Sequence, residues 1–583
     1  MGDAAGWWRL ILGLQAVATA VMVVWKIISL RQLGPGQEYG SPFFHAMATS
    51  DWFGAVVSTS LLIAAVRTPP RCAMYAERLV DGMARRVPLV AVLTSLMLCI
   101  GTQLVHRNYP YSMDEYAATF QAEVFAAGRL TGEWPICAAP LMISPQFASG
   151  QFFWCNFDSG KIISQYWPCH SLLMSPFSLV GAPWLLNPLL AGVAIMLIAS
   201  LARHFAGERA AGMAVLLTIA SPVFHAYGIS FYSMMSHLVA NLLYARLLVQ
   251  PSVSRGALAG CIGGCALTLH NPFPHALFAA PWIVWLVVTR RWVPAAVVVA
   301  CSLSVFSVID GAWFRTKHAV RADPVAVVAV EAQPSQEAPA SLLLSWSDLY
   351  SRIYGYVTSL YVPTLPGAAA GRTYSLVREI AWDAPGLVGL AIMGFLVGSG
   401  GAASALAASA LGTLAGYAFA PFDGGLGWGS RYMFSAWSAL PVLAATATAS
   451  KPGRERLFSA MASAAVGSAL LCVPIRLFEI RSFNDANLSR APLPLVQASG
   501  ADPDRVWIFL AGGDDARQDF IRNDPLFRRG PFILYGQGRY QDEKNIRLIA
   551  AVLGLTARHM GSSRVGDVWV LEPGAPLADP ADR

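Results

Sequence analysis

Between residues 109 and 168 the chain carries acids, amides, aromatic rings and a lysine, while the sequence on either side is strongly apolar. The stretch opens with Tyr109-Pro-Tyr-Ser-Met-Asp-Glu-Tyr116 and closes with Ser164-Gln-Tyr-Trp-Pro168. Asp114 and Glu115 stand where a membrane span is expected to end. An ionisable pair at that depth is a functional candidate. The plain alternative is a solvated loop whose acids start the next helix. Further candidates in this stretch are Tyr111, Lys161, Gln165 and Tyr166. Beyond it come His237, His270, Asn271, Arg431 and Tyr432, the last two within Gly427-Trp-Gly-Ser-Arg-Tyr432.

A membrane-facing carboxylate with basic and amide groups nearby suits a lipid-linked sugar entering from the bilayer. Phosphate on an anomeric carbon leaves readily if a cation sits beside it. The acceptor hydroxyl needs a base. One carboxylate then suffices for direct displacement with inversion, unlike the two-carboxylate arrangement of glycosidases. Asp114 is the candidate base. Arg431, with Lys161, is the candidate phosphate contact, because a guanidinium can form two parallel hydrogen bonds. Each residue also has a plainer role open to it. Arg431 can snorkel to lipid phosphate, Tyr432 can belong to the aromatic belt, His237 and His270 can be buried helix histidines, and Lys161 can be a solvated loop charge.

The elements that must position these groups are membrane helices. Of 583 residues, 55% are hydrophobic and only 13% charged, against about 25% charged in soluble domains. The expected fold is therefore an all-α polytopic membrane protein with about 13 spans. The net charge of +7 needs no nucleic acid partner, since arginines in cytoplasmic loops supply it. Residues from about 7 onward are read as a retained first span rather than a cleaved signal. Arginines at positions 67–86 mark a cytoplasmic connection, so a span over about 87–105 runs outward. Basic residues then fall on alternate connections, which gives one consistent topology, with the candidate residues and the C-terminal part outside the cytoplasm. A second outer loop is expected at 315–384, with a surface helix over 342–361. The stripe Tyr116, Phe120, Val124 predicts an amphipathic helix on the membrane surface, capped by Ser112 or Asp114 and ended by Gly128. After residue 480 the composition turns polar. Strands are predicted at 506–510, 532–535 and 568–571, with a helix at 544–555, forming a small α/β domain over 480–583. Residues 1–86 then form two extra N-terminal spans with their cytoplasmic loop, and 87–475 form the main membrane domain with outer loops 106–183 and 315–384. The nine cysteines show no metal-ligand spacing. A disulfide among Cys137, Cys155 and Cys169 remains open.

Several of these segments resemble a known family. Tyr111-Ser-Met-Asp-Glu-Tyr116, followed by a helix ending Ala127-Gly-Arg-Leu130, resembles the first-loop acidic motif of GT-C glycosyltransferases. The likeness is to the branch with protein O-mannosyltransferases and the lipid A aminoarabinose transferase. Gln165-Tyr-Trp-Pro168 with Leu172 and Leu173 is similar to that branch's Tyr-x-Pro-Gly-x-x-Leu-Leu segment, although Cys169 replaces the usual glycine. Ser221-Pro222 and Gly429-Ser-Arg-Tyr432, leading to Pro441, resemble two more of its motifs. The likeness covers about residues 87–475. It implies a catalytic role for Asp114 with Glu115 beside it, a polyprenyl-phosphate sugar donor, and a glycan, lipid or protein acceptor. Some members use a divalent metal (Mg or Mn) at the acidic motif and others do not, so Asp114 and Glu115 are metal ligands only in the first case. The rivals are a lipid or glycan transporter and a non-catalytic envelope-assembly subunit.

Overall fold

Small residues set the closest helix contacts. Gly256, Gly260 and Gly264 recur every fourth position in helix Val253–Leu267 and back onto helix Trp292–Arg321. A Cβ at Gly260 would come within 2.6 Å of the Val298 carbonyl, and one at Gly264 within 2.7 Å of the Ser302 carbonyl. Between membrane helices, where apolar surface is already solvated by lipid, such close backbone packing is the main source of attraction.

The computed structural model describes residues 4–32, 42–143, 150–321, 365–397, 401–418, 428–429, 431–449, 454–488, 496–497, 500–511, 520–563 and 565–573. They fall into two compact units, each discontinuous in sequence. The first comprises Met1–Asn108, Trp184–Gly311 and Ser341–Ser482; the second comprises Tyr109–Pro183, Ala312–Ala340 and Phe483–Arg583.

The first unit is helical. Among the described residues, five helices are long and apolar enough to cross a membrane, two bent pairs pass together, and four shorter apolar helices accompany them. The polytopic helical class matches expectation, but several elements differ from simple crossings. Leu186–Ile219 is broken at Ala206 and Gly207, whose φ is +81°, so the two spans read at 184–202 and 210–227 meet at a sharp bend. The arginine-rich connection is itself a helix, Pro70–Arg85, started by Pro70 at its first position. The span read at 293–311 continues to Arg321. The loop read at 315–384 therefore begins helical, and it also ends helical, in Leu365–Trp382. The surface helix expected at 342–361 lies outside the described residues.

The second unit contains two sheets. Strands β1 (Gly132–Glu133), β2 (Phe153–Asn156) and β3 (Lys161–Ser164) form an antiparallel sheet in the order β1-β3-β2. Strands β4 (Val506–Leu510), β5 (Phe532–Tyr535), β6 (Leu555–Ser562) and β7 (Gly566–Pro573) form a second sheet, order β5-β4-β7-β6. All five residues of β4 are buried. Its alternation sends Trp507 and Phe509 to one core and Val506, Ile508 and Leu510 to another. The first of these cores is shared with Tyr116, Phe120, Val124, Trp134 and Phe153.

That sharing corrects the expectation of a surface-lying amphipathic helix. Helix Met113–Ala126 is buried on nearly all sides. Its aromatic stripe packs edge-on against Phe153 and Trp134. On another face Ala118 accepts a hydrogen bond from Ser171 at 3.0 Å, so the stripe is satisfied by protein. All nine cysteines are free thiols. Cys137 and Cys155 pack against the shared core, which leaves the open disulfide unformed.

Candidate active site

Ser112 begins the acidic helix with extended backbone, and its hydroxyl accepts from the Glu115 N–H at 3.3 Å. Glu115 answers: its Oε2 accepts from the N–H groups of Tyr111 at 3.0 Å and Ser112 at 3.3 Å. This is a complete capping box. Glu115 is buried and its carboxylate is turned back onto the backbone. Its neighbour Asp114 is only half-buried, and its Oδ1 accepts from the Tyr166 hydroxyl.

Tyr166 is held from several directions. Its N–H donates to the Ser164 hydroxyl at 3.2 Å, and its carbonyl accepts from the Trp313 indole at 2.8 Å. Beside it, the Gln165 side chain accepts from the Trp154 indole and, at 3.3 Å, from the Lys317 ammonium, which also donates to the Gln165 carbonyl. Lys317 lies 5.5 Å from the Trp167 ring centre and 5.9 Å from that of Trp313. The sequence reading missed Lys317, because it lies beyond the expected end of its span. Lys161 is exposed at the start of β3, opposite Glu133 and Asn156.

The C-terminal part of the same unit supports the motif. Arg522 donates to the Pro110 carbonyl at 2.8 and 3.1 Å, and its guanidinium lies 4.6 Å from the Tyr116 ring centre. The Tyr116 hydroxyl donates to the Asn523 carbonyl and accepts from its N–H, both at 2.8 Å. Asn523 is itself tied to β5 by two side-chain bonds to Ile533. Farther along the helix, burial pushes the Glu123 carboxyl up to about 7; nearby Asp524 adds to this, while Arg528 and Arg529 oppose it.

Does the acidic pair fit a metal? One carboxylate is committed to two backbone donors and the other to a phenol. Among the described residues, no three His, Cys, Asp or Glu gather as a metal group. As arranged, Oε2 of Glu115 and Oδ1 of Asp114 already hold protein donors.

The remaining candidates belong to the first unit. Arg431 is buried, with its guanidinium 4.4 Å from the Tyr232 ring centre and 5.6 Å from that of Tyr432. Tyr432 stacks on Tyr417 at 5.2 Å. Asn187 fixes the Tyr232 segment by donating to the carbonyls of Ser230 and Tyr232 at 2.7 and 2.9 Å. Gly429, before Arg431, has φ +62°, and a Cβ there would lie 2.7 Å from Val223. His237 is fully buried in helix Met234–Leu248. His270 is also buried, and the Asn271 side chain accepts from the Phe273 N–H at 3.1 Å, two residues on. Sequence reasoning missed His275, whose Nδ1 lies 2.7 Å from the Asn241 amide oxygen. A cavity of about 360 Å³ lies in this unit, lined by Leu14, Phe395, Leu411, Met433 and Trp437 among other apolar groups, with Glu379 the one charged group among the described lining residues.

No family model matches the chain, and no curated protein does. Among solved structures, the chain is similar to ArnT from Cupriavidus metallidurans bound to undecaprenyl phosphate. The identity is 13%, the coverage is 84% of this chain and 99% of that one, and the TM-score is 0.53. The apo ArnT structure from the same organism gives 13% identity, 82% and 97% coverage, and a TM-score of 0.50. At such identity the likeness carries architecture rather than chemistry. The chain therefore shares the overall fold of these two ArnT structures, with several helices long and apolar enough to cross a membrane among its described residues.

Proposed function

We propose that the protein is a membrane glycosyltransferase that moves a sugar from a polyprenyl-phosphate carrier to an acceptor on the extracytoplasmic face. Asp114 is the base. Its Oδ1 accepts from the Tyr166 hydroxyl, whereas Oε2 of Glu115 accepts from the Tyr111 and Ser112 N–H groups, and this contrast carries the assignment. It takes the proton of the acceptor hydroxyl as that oxygen attacks the anomeric carbon. The bond from that carbon to the phosphate oxygen breaks, its electron pair leaves with the phosphate, and configuration inverts. Tyr166 orients the carboxylate, and Glu115 holds the loop that presents it.

Arg431 contacts the donor phosphate through its fork of N–H groups. The apolar cavity, lined in part by Met433 two residues on, suits an isoprenoid chain. Lys161 and Lys317 are the two candidates for a second cation. Support comes from the ArnT-type fold and from undecaprenyl phosphate being the ligand named for one of those structures.

Donor binding tests the carrier assignment. Arg431→Ala should weaken polyprenyl-phosphate binding by about 10- to 150-fold, the equivalent of a lost charge-assisted hydrogen bond of roughly 1.5–3 kcal/mol. Wild-type affinity in this variant would reduce Arg431 to a snorkelling residue. Sidedness is checked by impermeant thiol labelling, after removal of accessible native cysteines. A cysteine at Lys161 should react in intact cells and one at Arg78 should not.

A further inference from the structure

Asp51, in helix Pro42–Val66, is buried within the first unit. Its Oδ2 accepts from Arg378 at 2.9 Å; its Oδ1 accepts from the Trp382 indole at 2.9 Å and from Arg476 at 3.4 Å. Arg476 also donates to the Asp51 carbonyl at 2.9 Å and to Glu479 at 2.7 Å, and its guanidinium lies 4.4 Å from a Trp382 ring centre. Gly54 leaves room for this: a Cβ there would fall 2.4 Å from the Arg476 guanidinium carbon. Buried ionic clusters are weak sources of stability, because desolvation offsets much of their attraction. Inside a membrane domain they mark function by default.

What the cluster fixes is Trp382, which leads to the Arg431 segment. The Trp382 ring packs 5.8 Å from that of Trp428, and the Cβ position of Gly429 lies 3.4 Å from the Trp382 Cβ. The next residue, Asp383, accepts from the Trp437 indole at 2.7 Å. Trp382 and Asp383 thus hold the chain both before and after Arg431. From the far side, Tyr227 donates to the Trp428 carbonyl at 2.6 Å.

We propose that Asp51 is a positioning residue for Arg431, acting through Trp382 and Asp383, so that the N-terminal helices set the donor-phosphate contact. The proposal rests on the reading of Arg431 as that contact. A double-mutant cycle on binding of a short-chain polyprenyl phosphate to the full-length protein in detergent tests it. Asp51→Asn keeps the shape and an acceptor for Trp382 while removing the charge. Trp382→Phe keeps the packing and removes the N–H, and it carries the test if Asp51→Asn does not fold. Either variant should lower affinity by about 3- to 30-fold per folded molecule. Neither should weaken binding further when Arg431→Ala is already present. A purely structural role would lower the melting temperature and leave the affinity of the folded fraction unchanged, which overturns the proposal. Losses that add to that of Arg431→Ala overturn it too. Wild-type affinity in Arg431→Ala itself removes the reading and the proposal together, whereas a weakened Arg431→Ala beside an unchanged Asp51→Asn removes the proposal alone.

Discussion

The hydroxyl of Tyr166 donates to Oδ1 of Asp114, joining the acidic motif to a segment 52 residues further along the chain. The tyrosine backbone is fixed by Ser164 and Trp313, so the bond aims the carboxylate. Tyr166→Phe keeps the ring and removes the donor. Turnover should fall by about 10-fold, the worth of a hydrogen bond to a charged group, while KM for the donor stays within about 2-fold. An unchanged kcat would show that the bond does not orient the base.

Glu115 and Asp114 should separate cleanly. Glutamine can also close a capping box, so Glu115→Gln should keep both fold and turnover. Glu115→Ala loses the reciprocal bonds and should destabilise by about 0.5–2 kcal/mol. Thermal melts with activity per folded molecule check both variants. A Glu115→Gln protein that folds but does not turn over would give Glu115 a chemical role.

Glu123 supplies a pH dependence. Its carboxyl titrates near about 7 in the folded chain, against an ordinary value of 4.5. The folded chain therefore binds this proton more tightly than the unfolded chain does. Its favourable contribution is complete below about pH 4.5 and is lost as pH rises through about 7. On the order of 3 kcal/mol is at stake. Between pH 5 and pH 8 the wild type should lose stability relative to Glu123→Gln. Parallel melting curves across that range would contradict the shift.

The two candidate lysines, Lys161 and Lys317, differ in setting. Lys317 is half-buried and bonded to Gln165, whereas Lys161 is exposed. Exposed charges on a surface contribute little. Lys161→Met should keep activity within about 2-fold, and Lys317→Met should lose about 10-fold or more. Steady-state turnover of both variants decides which lysine serves the donor, and the reverse order would return that role to Lys161.

Local signals were readable in the sequence. Ser112 caps the acidic helix, and Gly128, with φ +72°, follows its end. Strands β4, β5 and β7 are short runs of aromatic and β-branched residues. Strand β6 was missed because Leu-Thr-Ala-Arg-His-Met-Gly-Ser mixes polar and apolar residues at a half-exposed sheet edge. The neighbouring helix was read too late at its start; it runs Arg539–Leu553 and stops at left-handed Gly554. Periodicity is local, so it gave no sign that Phe120 and Trp507 share a core. Nor did it pair Asp51 with Arg378, 327 residues away. The bond from Tyr166 to Asp114 was hidden for the same reason, although both residues were singled out by type.

The most direct measurement is turnover by purified Asp114→Asn. The asparagine keeps the shape of the side chain and removes the proton acceptor. With a polyprenyl-phosphate sugar and an envelope extract supplying acceptors, release of free polyprenyl phosphate is followed by mass spectrometry. Release should fall by about 10² to 10⁴ relative to wild type, with melting temperature and donor affinity nearly unchanged. Wild-type release by a folded Asp114→Asn protein would contradict the assignment of Asp114 as the base.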